Sequence, residues 1–174
     1  MLKEKHFLLP DHKVSTTSSI GEVFLYDGDV EKNSMINYEI KSHLAKLLAT
    51  EDLVVEHQHV DTAQFNVETR VLTLPLWKKA SSVVYDMLVG HEVGHALFTP
   101  NRWDFKIPQQ FVNVCEDVRI EKLMKRKYPG IAKTFYVGYN ALHDEDFFEI
   151  DGEDLTTFNL ADRINLYYKV GSFV

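Results

Sequence analysis

The stretch Val89-Gly90-His91-Glu92-Val93-Gly94-His95-Ala96-Leu97 decides how the rest of the chain is read. On a helix, four residues advance about 400°, so His91 and His95 project only about 40° apart and one turn along. Both imidazoles can then reach one ion from a single face, and imidazole nitrogen suits zinc. Val84 and Leu88 fall near that face on the preceding turns, so the histidines extend an inward stripe. Glu92 projects about 100° from His91. It is the expected general base, taking a proton from water activated by the metal and returning it to a leaving amine. Gly90 and Gly94 each disfavour a helix by roughly 0.5–1 kcal/mol relative to alanine. Two such residues beside the histidines point to tight packing around a site. The plainer reading is a pair of core histidines with ordinary polar partners, and a third ligand is what separates the two.

A catalytic zinc takes three protein ligands and keeps one position open. The best source downstream is Asn113-Val114-Cys115-Glu116-Asp117-Val118-Arg119-Ile120-Glu121. On a helical wheel Glu116 falls among Val112, Ile120 and Leu123, where a bare carboxylate is costly unless paired or metal-bound. Glu116 is therefore the expected third ligand, with a buried ion pair or a surface carboxylate as the alternative. Asp117 is expected to orient a ligating histidine, with an ordinary capping or surface charge, or ligation in place of Glu116, as the alternatives. Arg119 is expected to pair with an acid nearby. Cys115 lies in the apolar part of the same wheel and reads as a buried thiol.

At these residues the chain resembles the zincin metallopeptidases. The likeness rests on His91-Glu92-Val93-Gly94-His95 and on a downstream acidic helix, as in the gluzincin branch. The second motif is similar to the corresponding helix of metallopeptidase domains in bacterial and phage proteins, some of them coupled to von Willebrand A-type modules. The resemblance spans residues 64 to 128. It implies zinc on His91, His95 and Glu116, Glu92 as general base, and a strand beside the cleft preceding the metal helix. One departure is plain: the gluzincin pattern puts an acid four residues after the ligand glutamate, and this chain has Ile120 there. Asp117, or Asp117 with Glu121 one turn on, must then supply the equivalent support.

Outward from the motif, Ser82 to Leu97 reads as a helix stopped by Thr99-Pro100. Pro108 to Lys127 reads as the next, halted at Tyr128-Pro129-Gly130. Helices are also expected over 131–143 and from Thr157 to Lys169. Upstream, residues 34–49 carry three-and-four apolar spacing with Ser34 as cap. Residues 22–26, 53–60 and 64–74 are strand candidates, the last an edge strand ended by Pro75. The order, mixed elements first and then mainly helices, gives an α+β class with a small mixed sheet, in one domain over 1–174. Tyr136, Tyr139, His143 and Arg163 are candidate donors to a developing oxyanion. Phe98, Trp103 and Phe105 are candidate pocket residues. The acidic run Asp144–Asp154 fails the EF-hand register and reads as a solvated surface.

Acidic side chains outnumber basic ones by 26 to 19, for a net charge of -7. That balance gives no general attraction to nucleic acid. The basic run Lys122, Lys125, Arg126 and Lys127 suits a helix end. A single cysteine excludes an intrachain disulfide framework. No stretch approaches the roughly 20 apolar residues of a membrane span. The expected protein is a cytoplasmic zinc peptidase acting on peptides or proteins, with Zn2+ as cofactor and a further domain of the same polypeptide compatible with the chain's apolar end. The competing class is a zinc-stabilised interaction domain without turnover.

Overall fold

A computed structural model describes residues 36–77, 80–101 and 106–171 of the chain. Within them the order is α1 (Tyr38–Ala49), β1 (Val54–Gln58), β2 (Gln64–Asn66), β3 (Val71–Pro75), α2 (Ser82–Phe98), α3 (Gln109–Lys127), α4 (Ile131–Asp144) and α5 (Leu160–Val170), with a 3-10 turn at Leu155–Thr157 before α5. The α+β class is as expected. The sheet is mixed, in the order β1-β3-β2, with β1 parallel and β2 antiparallel to the central β3. Both β2 and β3 pack against α2.

The expected strand over 64–74 is a hairpin instead. Asn66 Oδ1 accepts from the amides of Glu68 and Thr69 at 3.0 and 2.9 Å, and Arg70 N donates to Asn66 O at 2.8 Å. Arg70 closes the turn with a left-handed φ of 59°. The alternation of Phe65, Val67, Thr69 and Val71 concealed this turn, because Val67 is buried although it lies in it. The asparagine side chain supplies acceptors that a continuous ladder would have provided. Gln64 then pairs with Thr73 and Asn66 with Val71. The Arg70 guanidinium meets Glu51 and donates to Ala96 O, a carbonyl in the last turn of α2. One side chain thus ties the sheet to the end of the metal-motif helix.

Helix α2 starts where Ser81 accepts from Val84 N and ends at Thr99, before Pro100. Every residue from Met87 to Ala96 is buried, so this is the central helix of the domain and not a half-wet one. Its neighbours are α1, α3 and α4. Lys41 of α1, itself buried, donates to Ser82 Oγ and Asp86 Oδ1 at 2.7 and 2.6 Å. Tyr85 of α2 donates to Pro75 O and accepts from Trp77 N, fixing the end of β3. Around these contacts lie Phe65, Leu72, Leu74, Leu88, Phe135, Leu142 and Phe148, each contributing about 1.5–3 kcal/mol by burial.

The remaining elements match expectation with shifted ends. Asn37, not Ser34, caps α1; Ser34 and the strand expected at 22–26 lie outside the described residues. The expected helix from Thr157 is divided: the 3-10 turn comes first, and Asn159 caps α5 through Asp162 N. In the acidic run, Asp146 and Asp154 accept from nearby backbone amides, as solvated loop carboxylates do.

Helices α2 and α4 meet closely at Gly138, where an added Cβ would lie 2.6 Å from Met87 Cβ. Alanine would gain roughly 0.5–1 kcal/mol of helix propensity. Overpacking against a Cβ fixed to the backbone costs typically about 1–3 kcal/mol. Gly138→Ala is therefore expected to destabilise the protein by about 1 kcal/mol, read as a lower denaturation midpoint at unchanged slope. An equal or higher midpoint would show that the helix pair separates without penalty.

Candidate metal centre

His91 and His95 stand one turn apart on α2, with ring centroids 5.0 Å apart. Both are 0% exposed, as is Glu92 between them. Helix α3 crosses this face closely: a Cβ on Gly94 would come 3.1 Å from both Ile120 and Met124. The absence of a side chain at Gly94 lets α3 bring its carboxylates up to the histidines, as the glycine pattern implied.

The carboxylate that arrives between them is Asp117. Its Oδ1 lies 3.6 Å from His91 Nε2 and 3.4 Å from His95 Nε2. These three residues form the metal-ligating cluster among the described residues, all of them buried. The separations are long for a hydrogen bond. They are close to what a tetrahedral ion imposes, since zinc bonds of about 2.0–2.2 Å put neighbouring ligand atoms about 3.4 Å apart. Asp117 Oδ1 is buried and engaged in no hydrogen bond, which an anionic oxygen tolerates when a cation meets it. The donor set of two imidazoles and one carboxylate is one that zinc takes.

Each imidazole is held from behind. His91 Nδ1 is 3.1 Å from Glu121 Oε1. A carboxylate only accepts, so Nδ1 carries the proton and Nε2 keeps its lone pair for a metal. His95 Nδ1 is 2.8 Å from Thr99 Oγ1, and that hydroxyl donates to Glu116 Oε1 at 2.6 Å. With the hydroxyl proton committed to Glu116, His95 Nδ1 must donate, and its Nε2 likewise carries no proton. Donor counting thus gives both rings the tautomer that ligation requires.

Glu116, the expected third ligand, is placed elsewhere. Its carboxylate makes a two-pronged pair with Arg119, at 2.6 Å from Nε and 2.7 Å from a terminal nitrogen, besides accepting from Thr99. Arg119 also donates to Phe98 O. The wheel was right that a carboxylate at 116 needs a partner; the partner is a guanidinium. Glu116 and Asp117 are adjacent on the inward side of α3, about 100° apart, and only Asp117 faces the Nε2 atoms. Asp117, expected mainly as support, is the carboxylate grouped with the two histidines, while Glu116 reaches His95 through Thr99. Cys115 is also corrected, being exposed. The buried residues of α3 are Val112, Asn113, Val114, Glu116, Asp117, Ile120, Glu121 and Met124, so its inward face is partly acidic and the most apolar arc was a poor guide.

The electrostatics suit a ligating carboxylate. Burial opposes ionisation of Asp117, but the Lys169 ammonium beside it favours the charged form and helps hold the carboxyl below its usual range. Glu121 is buried too, and His91, Lys169 and Tyr139 together keep it below the ordinary glutamate value. Burial and the Glu121 charge push the Tyr139 hydroxyl well up, with Glu92 adding to the effect. Tyr139 therefore stays a donor, and its hydroxyl goes to Glu121 Oε1 at 2.5 Å.

Of the four candidate oxyanion donors, the structure connects only Tyr139 to the centre, and its proton is used on Glu121. Tyr136 is 71% exposed, Arg163 is exposed, and His143 lies at the far end of α4. Phe98 is half-buried at the end of α2, while Trp103 and Phe105 lie outside the described residues. Sequence reasoning passed over Thr99, which it used only as a helix stop, and Lys169, for which it had no signal. Glu121 had one: its spacing of one turn from Asp117.

Comparison of the chain with protein-family models, curated proteins and solved structures finds no match. The small α+β domain with a His-Glu-x-x-His…Asp triad agrees in general with a zincin-like fold. Removal of a ligand and removal of a support should differ in size. Asp117→Ala is expected to strip zinc at chelator concentrations that wild type survives. Glu116→Gln is expected to weaken binding by only about 10–100-fold, the usual effect of losing an outer partner. Equilibrium competition against a zinc chelator measures both, and the reverse order would return the third ligand to Glu116.

Proposed function

We propose that the protein is a zinc-dependent peptidase with Glu92 as its general base. The observation that carries this reading is the buried convergence of His91, His95 and Asp117 with Glu92 on the same turn. No fourth ligating side chain joins the three among the described residues, which fits a centre with an open position rather than a closed structural one. Zinc held there supplies a Lewis acid and makes water nucleophilic near neutral pH.

The chain's own residues divide the remaining work. His91, His95 and Asp117 hold the ion, and Glu121 and Thr99 keep the two rings in their ligating tautomer. Glu92 accepts the proton of the attacking water and passes it to the departing amine as the C–N bond breaks. Strand β2 ends the sheet on one side and packs against α2. An extended peptide can add along Gln64–Asn66 through main-chain hydrogen bonds. The peptide substrate class, a relation to the gluzincin-like bacterial and phage domains, a single domain over 1–174 and a cytoplasmic location all belong to this proposal. In place of the gluzincin glutamate the chain would use Asp117.

One observation favours the second reading, a zinc-stabilised interaction domain: the histidines and Glu92 are fully enclosed. Against it, a structural centre has no use for a carboxylate at position 92.

Glu92→Gln is expected to bind zinc as wild type does and to lose at least about 100-fold in peptide cleavage, the lower range for a general base. Metal analysis and mass spectrometry of new termini in a mixture of unfolded substrate proteins read the two effects. Wild-type turnover by this variant would reject the role of Glu92. A zinc-loaded wild type that cuts nothing and shows four protein ligands would establish the interaction domain instead.

A further inference from the structure

The two oxygens of Asp117 have different company. Oδ1 faces the Nε2 atoms of both histidines. Oδ2 lies 3.2 Å from Lys169 Nζ, on α5, 52 residues further along the chain. The Lys169 side chain is 3% exposed, an unusual state for a lysine and one that requires a charged partner. Its ammonium also lies 3.4 Å from the Tyr139 hydroxyl and 5.1 Å from the centre of that ring. The hydroxyl donates to Glu121, which in turn accepts from His91 Nδ1. Lys169 is therefore joined to one ligand directly and to a second through Tyr139 and Glu121.

We infer that Lys169 is a positioning residue that confines Asp117 to a single ligating oxygen. This rests on the zinc-site reading above and adds to it. A carboxylate can grip a cation with one oxygen or two. With an ammonium fixed on Oδ2, the carboxylate cannot swing to present both without leaving a buried charge uncompensated, so the ion receives three protein atoms and one position remains for water or substrate. The placement of Lys169 comes from α5, where Ala161, Asn165, Leu166 and Val170 are buried with it. The C-terminal helix thereby sets the coordination number of a centre built on α2 and α3.

X-ray absorption on the zinc-loaded wild-type protein tests the geometry without any variant. The expected result is one carboxylate oxygen at about 2.0–2.2 Å and no second from the same group. Two oxygens from one carboxylate would overturn the inference. Lys169→Met and Lys169→Arg test the cause, with Co2+ as spectroscopic probe and circular dichroism to establish folding. Lys169→Met is expected to weaken zinc binding by about 10–100-fold and to lower the visible Co2+ absorbance as coordination expands, while Lys169→Arg restores both. An unchanged spectrum in Lys169→Met, with or without weaker binding, would make Lys169 a packing residue only. A wild-type protein that binds no zinc would instead defeat the metal-site reading itself, a distinguishable result.

Discussion

Carboxylates buried against imidazoles constrain everything else in this domain. Asp117 and Glu121 are taken out of water on α3, beside His91 and His95 on α2. An isolated buried carboxylate is untenable without compensation. Lys169 compensates one side of Asp117, Tyr139 and His91 compensate Glu121, and Arg119 compensates Glu116. Asp117 Oδ1 is left facing two Nε2 atoms that carry no proton. Counting formal charges, the four carboxylates of Glu92, Glu116, Asp117 and Glu121 meet three cationic side chains, Lys169, Arg119 and Lys125. The carboxylates outnumber these cations, which favours a cation between His91, His95 and Asp117.

That balance explains why the helices are packed as they are. A two-histidine face can receive a ligand from another helix only if the backbones come near, and Gly94 removes the side chain that would hold α3 away. On the opposite flank Gly90 lies under Ile131 and Gly138 meets Met87, so α4 is drawn in and brings Tyr139 to Glu121. The helix propensity given up at these positions is small beside the core that closes around α2. The sheet plays a supporting part. Arg70 and Tyr85 pin its strands to the two ends of α2, which sets β2 beside the motif helix as an edge of the sheet.

Much of this arrangement was legible in the sequence, and the failures have physical causes. The spacing of His91 and His95 needs no tertiary information, because helix geometry alone brings the rings together. Helix ends at Ser81, Thr99 and Lys127 follow from local caps and prolines. The choice between Glu116 and Asp117 is of another kind. Both lie on the buried side of α3, and their roles are separated by the crossing of α3 over α2, which no single-helix wheel contains. The same wheel put Cys115 inside by assuming that the inward face must be apolar, when this helix turns its acids inward to meet ligands and cations. The hairpin at Asn66–Arg70 escaped because the β alternation runs through the turn without a break. Lys169 escaped because its partner is remote in sequence and a lysine on an amphipathic helix ordinarily faces water.

The division of partners among the acids bears on whether the centre is built for turnover. A structural zinc site needs ligands and nothing that changes protonation nearby. Here each supporting acid has fixed donors. Glu121 accepts from His91, Tyr139 and Lys125, and Glu116 accepts from Thr99 and Arg119. Glu92 is buried on the turn between the two histidines. The enclosure of the site is compatible with proton transfer there, since a carboxylate kept from bulk water exchanges its proton with whatever is held beside the metal and not with solvent. Glu92, on the same turn of α2 as the two histidines, is the carboxylate to which the proposed proton transfer is assigned.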